Sequence, residues 1–122
     1  MADKIKVLYI DDEPINTELF KINFQEYYQV ITALSGQEGL EKLHHNDDIS
    51  VIITDMKMPG MNGMEFIVKA REKYPEKIYF ILSGYDMSEE IEIALQKKVI
   101  KEYFKKPFNL DQINLAIRNC QI

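Results

Sequence analysis

The sequence predicts an α/β fold, a parallel β-sheet with helices packed on both faces. Two observations carry this. Short apolar runs alternate with longer amphipathic segments along the chain. Several of the runs also lack the period-two alternation of a half-exposed strand, as expected for strands covered on both sides. Five β-α units of about 24 residues each fill the 122 residues, the pattern of one domain over residues 1–122.

The first run is Ile5 to Ile10. Pro14 then fits the opening turn of a helix, where its missing N–H costs nothing, and Ile15, Leu19 and Ile22 recur at helical spacing as its expected apolar stripe. Val30 to Ala33 is the second run, and Ser35 with Glu38 has capping-box spacing ahead of Leu40 and Leu43. Val51 to Thr54 follows, and the turn-rich loop Met58-Pro59-Gly60-Met61-Asn62-Gly63 leads into a helix with Phe66, Ile67 and Ala70 on one face. Ile78 to Leu82 is the fourth run, with Ser88 placed to cap a helix carrying Ile91, Ala94 and Leu95. The fifth, Ile100 to Phe104, is interrupted by Lys101 and Glu102, and Leu110, Ile113, Ile117 and Cys120 mark the last helix. Cys120 is expected to be a buried thiol. No linker, low-complexity tract or change of composition divides the chain.

Composition narrows the function. Fifteen Lys and Arg against 20 Asp and Glu give a net charge of −5, which argues against a domain that works by neutralising nucleic-acid phosphates. A single cysteine excludes an internal disulfide framework and a cysteine-rich zinc site. No apolar run approaches the roughly 18 residues of a membrane span, and Met1-Ala2-Asp3-Lys4 does not open a secretory signal. A cytoplasmic protein without direct nucleic-acid or membrane partners is expected.

In open α/β sheets ligands bind outside the carboxyl ends of the strands. The first strand runs into Asp11, Asp12 and Glu13, the third ends at Asp55, the fourth at Ser83-Gly84, and the fifth at Lys105-Lys106-Pro107. Taken singly these are ordinary residues: acids favoured at a helix N-terminus, a turn aspartate, a capping serine, a solvated lysine. Together they are what phosphoryl transfer to a carboxylate requires. Mg²⁺ takes oxygen ligands, commonly one or two carboxylates plus a phosphate oxygen, which Asp11, Asp12 and Asp55 supply. Asp55 can act as the nucleophile and form an aspartyl-phosphate. Lys106 would neutralise one phosphoryl oxygen and Ser83 would donate to another. Three carboxylates, one lysine and a divalent cation leave such a pocket near neutral.

On these residues the sequence resembles the receiver domains of two-component response regulators, over essentially all of residues 4–120. The matching segments are Val7-Leu8-Tyr9-Ile10-Asp11-Asp12-Glu13-Pro14, Asp55 to Glu65, Leu82-Ser83-Gly84 and Lys106-Pro107-Phe108. The resemblance implies a flavodoxin-like (βα)5 doubly wound sandwich with strand order 2-1-3-4-5. It implies Asp55 as phosphoacceptor and Asp11 and Asp12 as the acidic pocket for Mg²⁺ (or Mn²⁺), with the backbone carbonyl of Lys57 as a further metal ligand. Ser83 takes the switch hydroxyl position, Tyr103 the aromatic switch position, and Lys106 the active-site lysine, preceding Pro107 through a bond that is typically cis. The implied partners are a sensor histidine kinase or histidine phosphotransfer protein upstream and a downstream protein or output domain, read through the face of the fourth helix, fifth strand and fifth helix. No output segment is read after the fifth unit. Asn62 stands where Asp is frequent and Gly84 where Ala is frequent; neither removes a catalytic group.

Two other classes use similar residues. A Mg²⁺-dependent phosphatase or phosphotransferase of small substrates typically carries Asp-x-Asp after the first strand and a cap insertion, whereas here the pair is adjacent and no insertion is present. A pseudo-receiver scaffold should lack Asp55, Asp12 or Lys106, and all three are present. A nucleotide-binding G-x-x-x-x-G-K-[ST] loop is absent. His44 and His45, the basic stretch of Lys97, Lys98, Lys101 and Lys105, and the methionines around the third loop read as solvated or gap-filling residues.

Overall fold

The computed structural model describes residues 4–120. Five strands alternate with five helices: β1 (Lys6–Ile10), α1 (Pro14–Phe24), β2 (Gln29–Ala33), α2 (Gly36–His45), β3 (Val51–Thr54), α3 (Gly63–Lys73), β4 (Ile78–Ser83), α4 (Glu89–Gln96), β5 (Glu102–Lys105) and α5 (Leu110–Asn119). All pairings are parallel and the order is β2-β1-β3-β4-β5, as the resemblance implied. The chain reverses its direction of winding between β1 and β3, and there the carboxyl ends of the strands open a crevice.

The apolar strands are explained by two cores, one on each face of the sheet. Leu8, Ile10, Ile52, Tyr79 and Ile81 point toward α2, α3 and α4 and pack with Leu43, Phe66, Ile67, Ile91 and Ala94. Their neighbours Val7, Tyr9, Val51, Ile53, Phe80, Leu82 and Phe104 point the other way, toward Phe20 and Phe24 of α1 and Ile113 and Ile117 of α5. Successive side chains of a strand alternate faces, so nearly every position of the three inner strands β1, β3 and β4 is buried and no polar alternation remains there, while the edge strands β2 and β5 are partly exposed.

Helix ends follow local chemistry. Ser35, Asn62, Ser88 and Asn109 each accept a hydrogen bond from the backbone N–H three residues on. Asn62 and Glu65 form a full capping box. At Ser35 the box is shifted, because the Glu38 carboxylate accepts from the N–H of Leu34 instead of that of Ser35.

Three expectations are corrected. Ile15, Leu19 and Ile22 are 68%, 47% and 60% exposed, and α1 buries Thr17, Phe20 and Phe24. The two phenylalanines offer more apolar area, and Phe20 stacks between Tyr9 and Phe24. The fifth strand begins later than the apolar run, at Glu102, with Ile100 buried ahead of it. The chain leaves α4 through Lys98 at φ 61°, and pairing with β4 starts only where Glu102 meets Phe80. Cys120 is half-buried at the end of α5 rather than enclosed.

Candidate functional site

The strand ends that converge in sequence converge in space. Backbone hydrogen bonds carry the sheet one residue beyond the strands: Asp11 N–H to Ala33 O (3.1 Å), Asp55 N–H to Ile10 O (2.8 Å) and Lys106 N–H to Ser83 O (2.8 Å). The reactive side chains thus sit on anchored backbone rather than on free loops. Gly63 is part of the same construction. Its N–H bonds Met56 O at 2.8 Å, and a Cβ there would overlap the Asp55 carbonyl oxygen and come within 3.0 Å of Met56 Cα.

Asp11 is fully buried. Its Oδ2 accepts from Tyr9 Oη (2.8 Å), Asn16 Nδ2 (3.2 Å) and Lys106 Nζ (2.8 Å), and Oδ1 from the Glu13 N–H (3.0 Å). Asp55 is also buried. Its Oδ1 accepts from the Met56 N–H at 2.9 Å, and Oδ2 lies 3.3 Å from Lys106 Nζ. Carboxylate oxygens of Asp11, Asp12 and Asp55 lie within 4.8 Å of one another. This all-oxygen, anionic set fits a hard divalent cation such as Mg²⁺.

The electrostatics follow from this crowding. Burial pushes the Asp55 carboxyl above its ordinary value; Lys106 opposes the rise and the Asp11 charge adds to it. Burial draws the Lys106 ammonium down, but the hydrogen bond to Asp11 and the charges of Asp55 and Asp11 outweigh it, and its pKa is raised overall. Burial, then the charge of Asp11, holds the Tyr9 phenol far above its usual range, so it remains a donor.

Lys106, and not Lys105, reaches the carboxylates; Lys105 pairs with Asp86 on the surface. The Lys106–Pro107 bond is cis. Ser83 is buried at the end of β4, its Oγ accepting only a long 3.3 Å hydrogen bond from the Tyr85 N–H. Lys57 is exposed in the loop after β3, with its ammonium 4.3 Å from the centroid of the Tyr85 ring. Tyr103, expected to be exposed at rest, is half-buried with its hydroxyl enclosed and unpartnered. Burial pushes its pKa up, against the nearby Lys105. The β5 register explains the difference, since Tyr103 sits opposite Ile81 and packs on the core beside α4.

Tyr9, Asn16 and the Glu13 N–H belong to the site without having been read from the sequence. One signal existed for Tyr9, which precedes Asp11 by two residues and so shares its face of the strand. A cavity of about 560 Å³ beside the site is lined by Tyr9, Asn16, Leu19, Leu82, Lys106 and Phe108. The larger hollow, about 680 Å³ around Lys4, Lys21 and Tyr28, lies at the opposite end of the sheet. His44 and His45 are exposed and remote from the carboxylates. Among the described residues no helix is long and apolar enough to cross a membrane.

A doubly wound sheet thus gathers a lysine and three carboxylates at its switch point. Residues 7–118 match the response regulator receiver domain, and the chain belongs to that family, whose members are phosphoacceptor switches of two-component signalling. It is 34% identical over 98% of its length to the hydrogenase transcriptional regulatory protein HoxA of Cupriavidus necator, spanning 25% of that protein. It is 32% identical to a chemotaxis protein CheY homolog of Campylobacter jejuni, with 85% of this chain and 82% of that one covered. Among solved structures, the response regulator TrrA of Thermotoga maritima in complex with Mg²⁺-BeF superposes with a TM-score of 0.81 at 30% identity, covering 94% of this chain and 97% of that one. The first three curated relatives are longer, and the chain spans about a quarter to a third of their length.

Proposed function

We propose that residues 1–122 act as one receiver unit in which Asp55 is the phosphoacceptor. The observation that carries this is Lys106 Nζ set 2.8 Å from Asp11 and 3.3 Å from Asp55, beside carboxylates gathered within 4.8 Å. An Asp55 carboxylate oxygen attacks the phosphorus of a phosphohistidine on a sensor histidine kinase or histidine phosphotransfer protein. The new O–P bond forms as the N–P bond breaks, and the electron pair departs on the imidazole nitrogen. Lys106 neutralises a phosphoryl oxygen and the Ser83 hydroxyl donates to another. Mg²⁺, or Mn²⁺ in its place, would be held by Asp11, Asp12, Asp55 and the Lys57 carbonyl and supplies Lewis-acid neutralisation of the phosphoryl oxygens. Hydrolysis of the aspartyl-phosphate returns the chain to its resting state, so the chemistry acts on the protein itself rather than on a separate small substrate.

The exposed stripe Ile15, Leu19 and Ile22 supports a role for α1 in receiving the phosphodonor protein, because Leu19 also borders the cavity at Lys106. On the other side, Ser83 and Tyr103 lie on adjacent strands, and their movement would alter the α4-β5-α5 face read by a downstream protein or output domain. The working compartment in this reading is the cytoplasm.

Acetyl phosphate with Mg²⁺ tests the assignment. Intact mass should show a single phosphoryl group on the wild type and none on Asp55→Asn; equal incorporation by the variant refutes Asp55. Ile15→Ser with Leu19→Ser should slow transfer from a phosphorylated histidine domain while leaving the acetyl phosphate rate unchanged.

A further inference from the structure

One side chain reaches the carboxylate centre from inside the core. Tyr9 precedes Asp11 by two residues on β1, so both project from the same face, and the length of the phenol carries its hydroxyl to the carboxyl end of the strand. The ring is buried and stacked on Phe20, with centroids 4.2 Å apart and planes at 7°. The hydroxyl donates to Asp11 Oδ2 at 2.8 Å. That oxygen has two other donors, Lys106 at 2.8 Å and Asn16 at 3.2 Å, whereas Oδ1 has only the Glu13 N–H.

This arrangement matters when Lys106 moves. Asp11 has no solvent exposure, and a buried carboxylate stripped of its ion-pair partner is strongly destabilised unless other donors hold its charge. In the phosphoacceptor reading, on which this inference rests, the ammonium is drawn from Asp11 to a phosphoryl oxygen on Asp55. Mg²⁺ would still share the charge of the Asp11 carboxylate, but the protein donors left on Oδ2 are the two neutral ones, of which Tyr9 makes the shorter bond.

We propose that Tyr9 is a positioning residue whose hydroxyl holds Asp11 Oδ2 while Lys106 passes from Asp11 to the phosphoryl group. Tyr9 touches neither phosphorus nor the attacking oxygen; it acts through Asp11. Stacking on Phe20 fixes the ring before the lysine moves, so no side chain has to be ordered at that moment.

The test uses the full chain and Tyr9→Phe, which keeps the ring and removes only the O–H. Mg²⁺ alone is titrated first. Beryllofluoride, a mimic of the aspartyl-phosphate, is then titrated at saturating Mg²⁺, both by calorimetry. Mg²⁺ affinity should stay within about twofold, because Lys106 rests on Asp11 in both proteins, while beryllofluoride affinity should fall about tenfold, the worth of one hydrogen bond to a charged group. Asn16→Ala removes the other neutral donor and should shift beryllofluoride affinity in the same direction. It carries the test if thermal melting shows Tyr9→Phe unfolded. Equal losses for Mg²⁺ and beryllofluoride would show that Tyr9 merely props the acidic pocket, and overturn the proposal. Unchanged beryllofluoride affinity overturns it too. A wild-type chain that binds no beryllofluoride refutes the reading of Asp55 and the role of Tyr9 with it, so the two failures are distinguishable.

Discussion

Replacing Asp55 by Asn should stabilise the metal-free protein. Taking the 4.8 Å limit on the carboxylate separations and an effective dielectric near 20, each like-charged neighbour of Asp55 costs about 3.5 kcal/mol, and the Lys106 contact at 3.3 Å returns about 5 kcal/mol. Burial places the largest penalty on the ionised form; Lys106 opposes it and the charge of Asp11 adds to it, so the ionised carboxylate carries a net cost. Asn keeps the acceptor for the Met56 N–H and lets Lys106 remain on Asp11. For a domain of this size a gain of about 1–2 kcal/mol raises the melting temperature by about 3–10 °C.

The pH dependence of this gain is fixed by the direction of the shift. Burial, opposed by Lys106 and reinforced by Asp11, raises the Asp55 carboxyl from its ordinary 3.8. Between that value and the higher native one, the folded state binds more protons than the unfolded state. Stability therefore falls as pH rises through this window, and the penalty is in full force above it. Thermal unfolding in EDTA at neutral pH should show Asp55→Asn melting above the wild type, with the gap closing as pH is lowered to about 3.8. Adding Mg²⁺ should stabilise the wild type more than the variant. A variant that melts below the wild type in EDTA at neutral pH refutes the claim that the buried, ionised Asp55 carboxylate is a net cost to the fold.

Lys106→Ala should abolish or strongly slow phosphorylation from acetyl phosphate and lower stability by about 3–5 kcal/mol, the cost of leaving a buried charge unpaired; Lys105→Ala, which breaks only the exposed pair with Asp86, should change neither, and phosphorylation kinetics with denaturant unfolding check both. Gly63→Ala drives a Cβ into the backbone of Asp55 and Met56 and should cost about 1–3 kcal/mol while displacing the phosphoacceptor loop, visible as lower stability and slower phosphorylation together. The Lys57–Tyr85 cation–π contact ties the loop after β3 to the loop after β4; in the proposed reading the aspartyl-phosphate should outlive that of fast-hydrolysing chemotaxis-type receivers, and Tyr85→Ala should shorten its half-life in Mg²⁺; a short half-life unchanged by Tyr85→Ala excludes a shielding role for the ring.

The parallel sheet and its carboxyl-end crevice were legible because they rest on the whole pattern, whereas the strand order came only through the family resemblance. Val7-Leu8-Tyr9-Ile10 is apolar throughout only because both faces of β1 are covered, and the placement of Asp11, Asp55 and Lys106 after β1, β3 and β5 at one edge of the sheet follows from parallel topology. The rotation of α1 was not legible. Ile15, Leu19 and Ile22 form one apolar stripe and Phe20 and Phe24 another, turned about 140° away at 3.6 residues per turn, so periodicity alone does not choose between them. Tertiary packing does, through the ring stack of Tyr9, Phe20 and Phe24. Tyr9 and Asn16 escaped notice because a strand tyrosine reads as core and an asparagine in a first helical turn reads as solvated. Their role depends on a shared oxygen of Asp11 that only three-dimensional placement reveals.

The half-buried Tyr103 changes how the switch is to be understood. A ring swinging from solvent into the core would gain apolar burial as it moved, and phosphorylation would have to supply little. Here the ring already packs against the core on the side of α4, and what it lacks is a partner for its enclosed hydroxyl. Ser83, buried on the neighbouring strand with only one long hydrogen bond, is also under-satisfied. In the proposed reading these two hydroxyls, on adjacent strands, lie between Asp55 and the α4-β5 surface. Drawing Ser83 toward a phosphoryl group satisfies one hydroxyl and alters the environment of the other, and a difference of a few kcal/mol in those contacts is enough to shift the populations of a two-state element. The apolar core fixes where Tyr103 lies; in the proposed reading, the hydrogen bonding of Ser83 and Tyr103 sets how readily the ring moves.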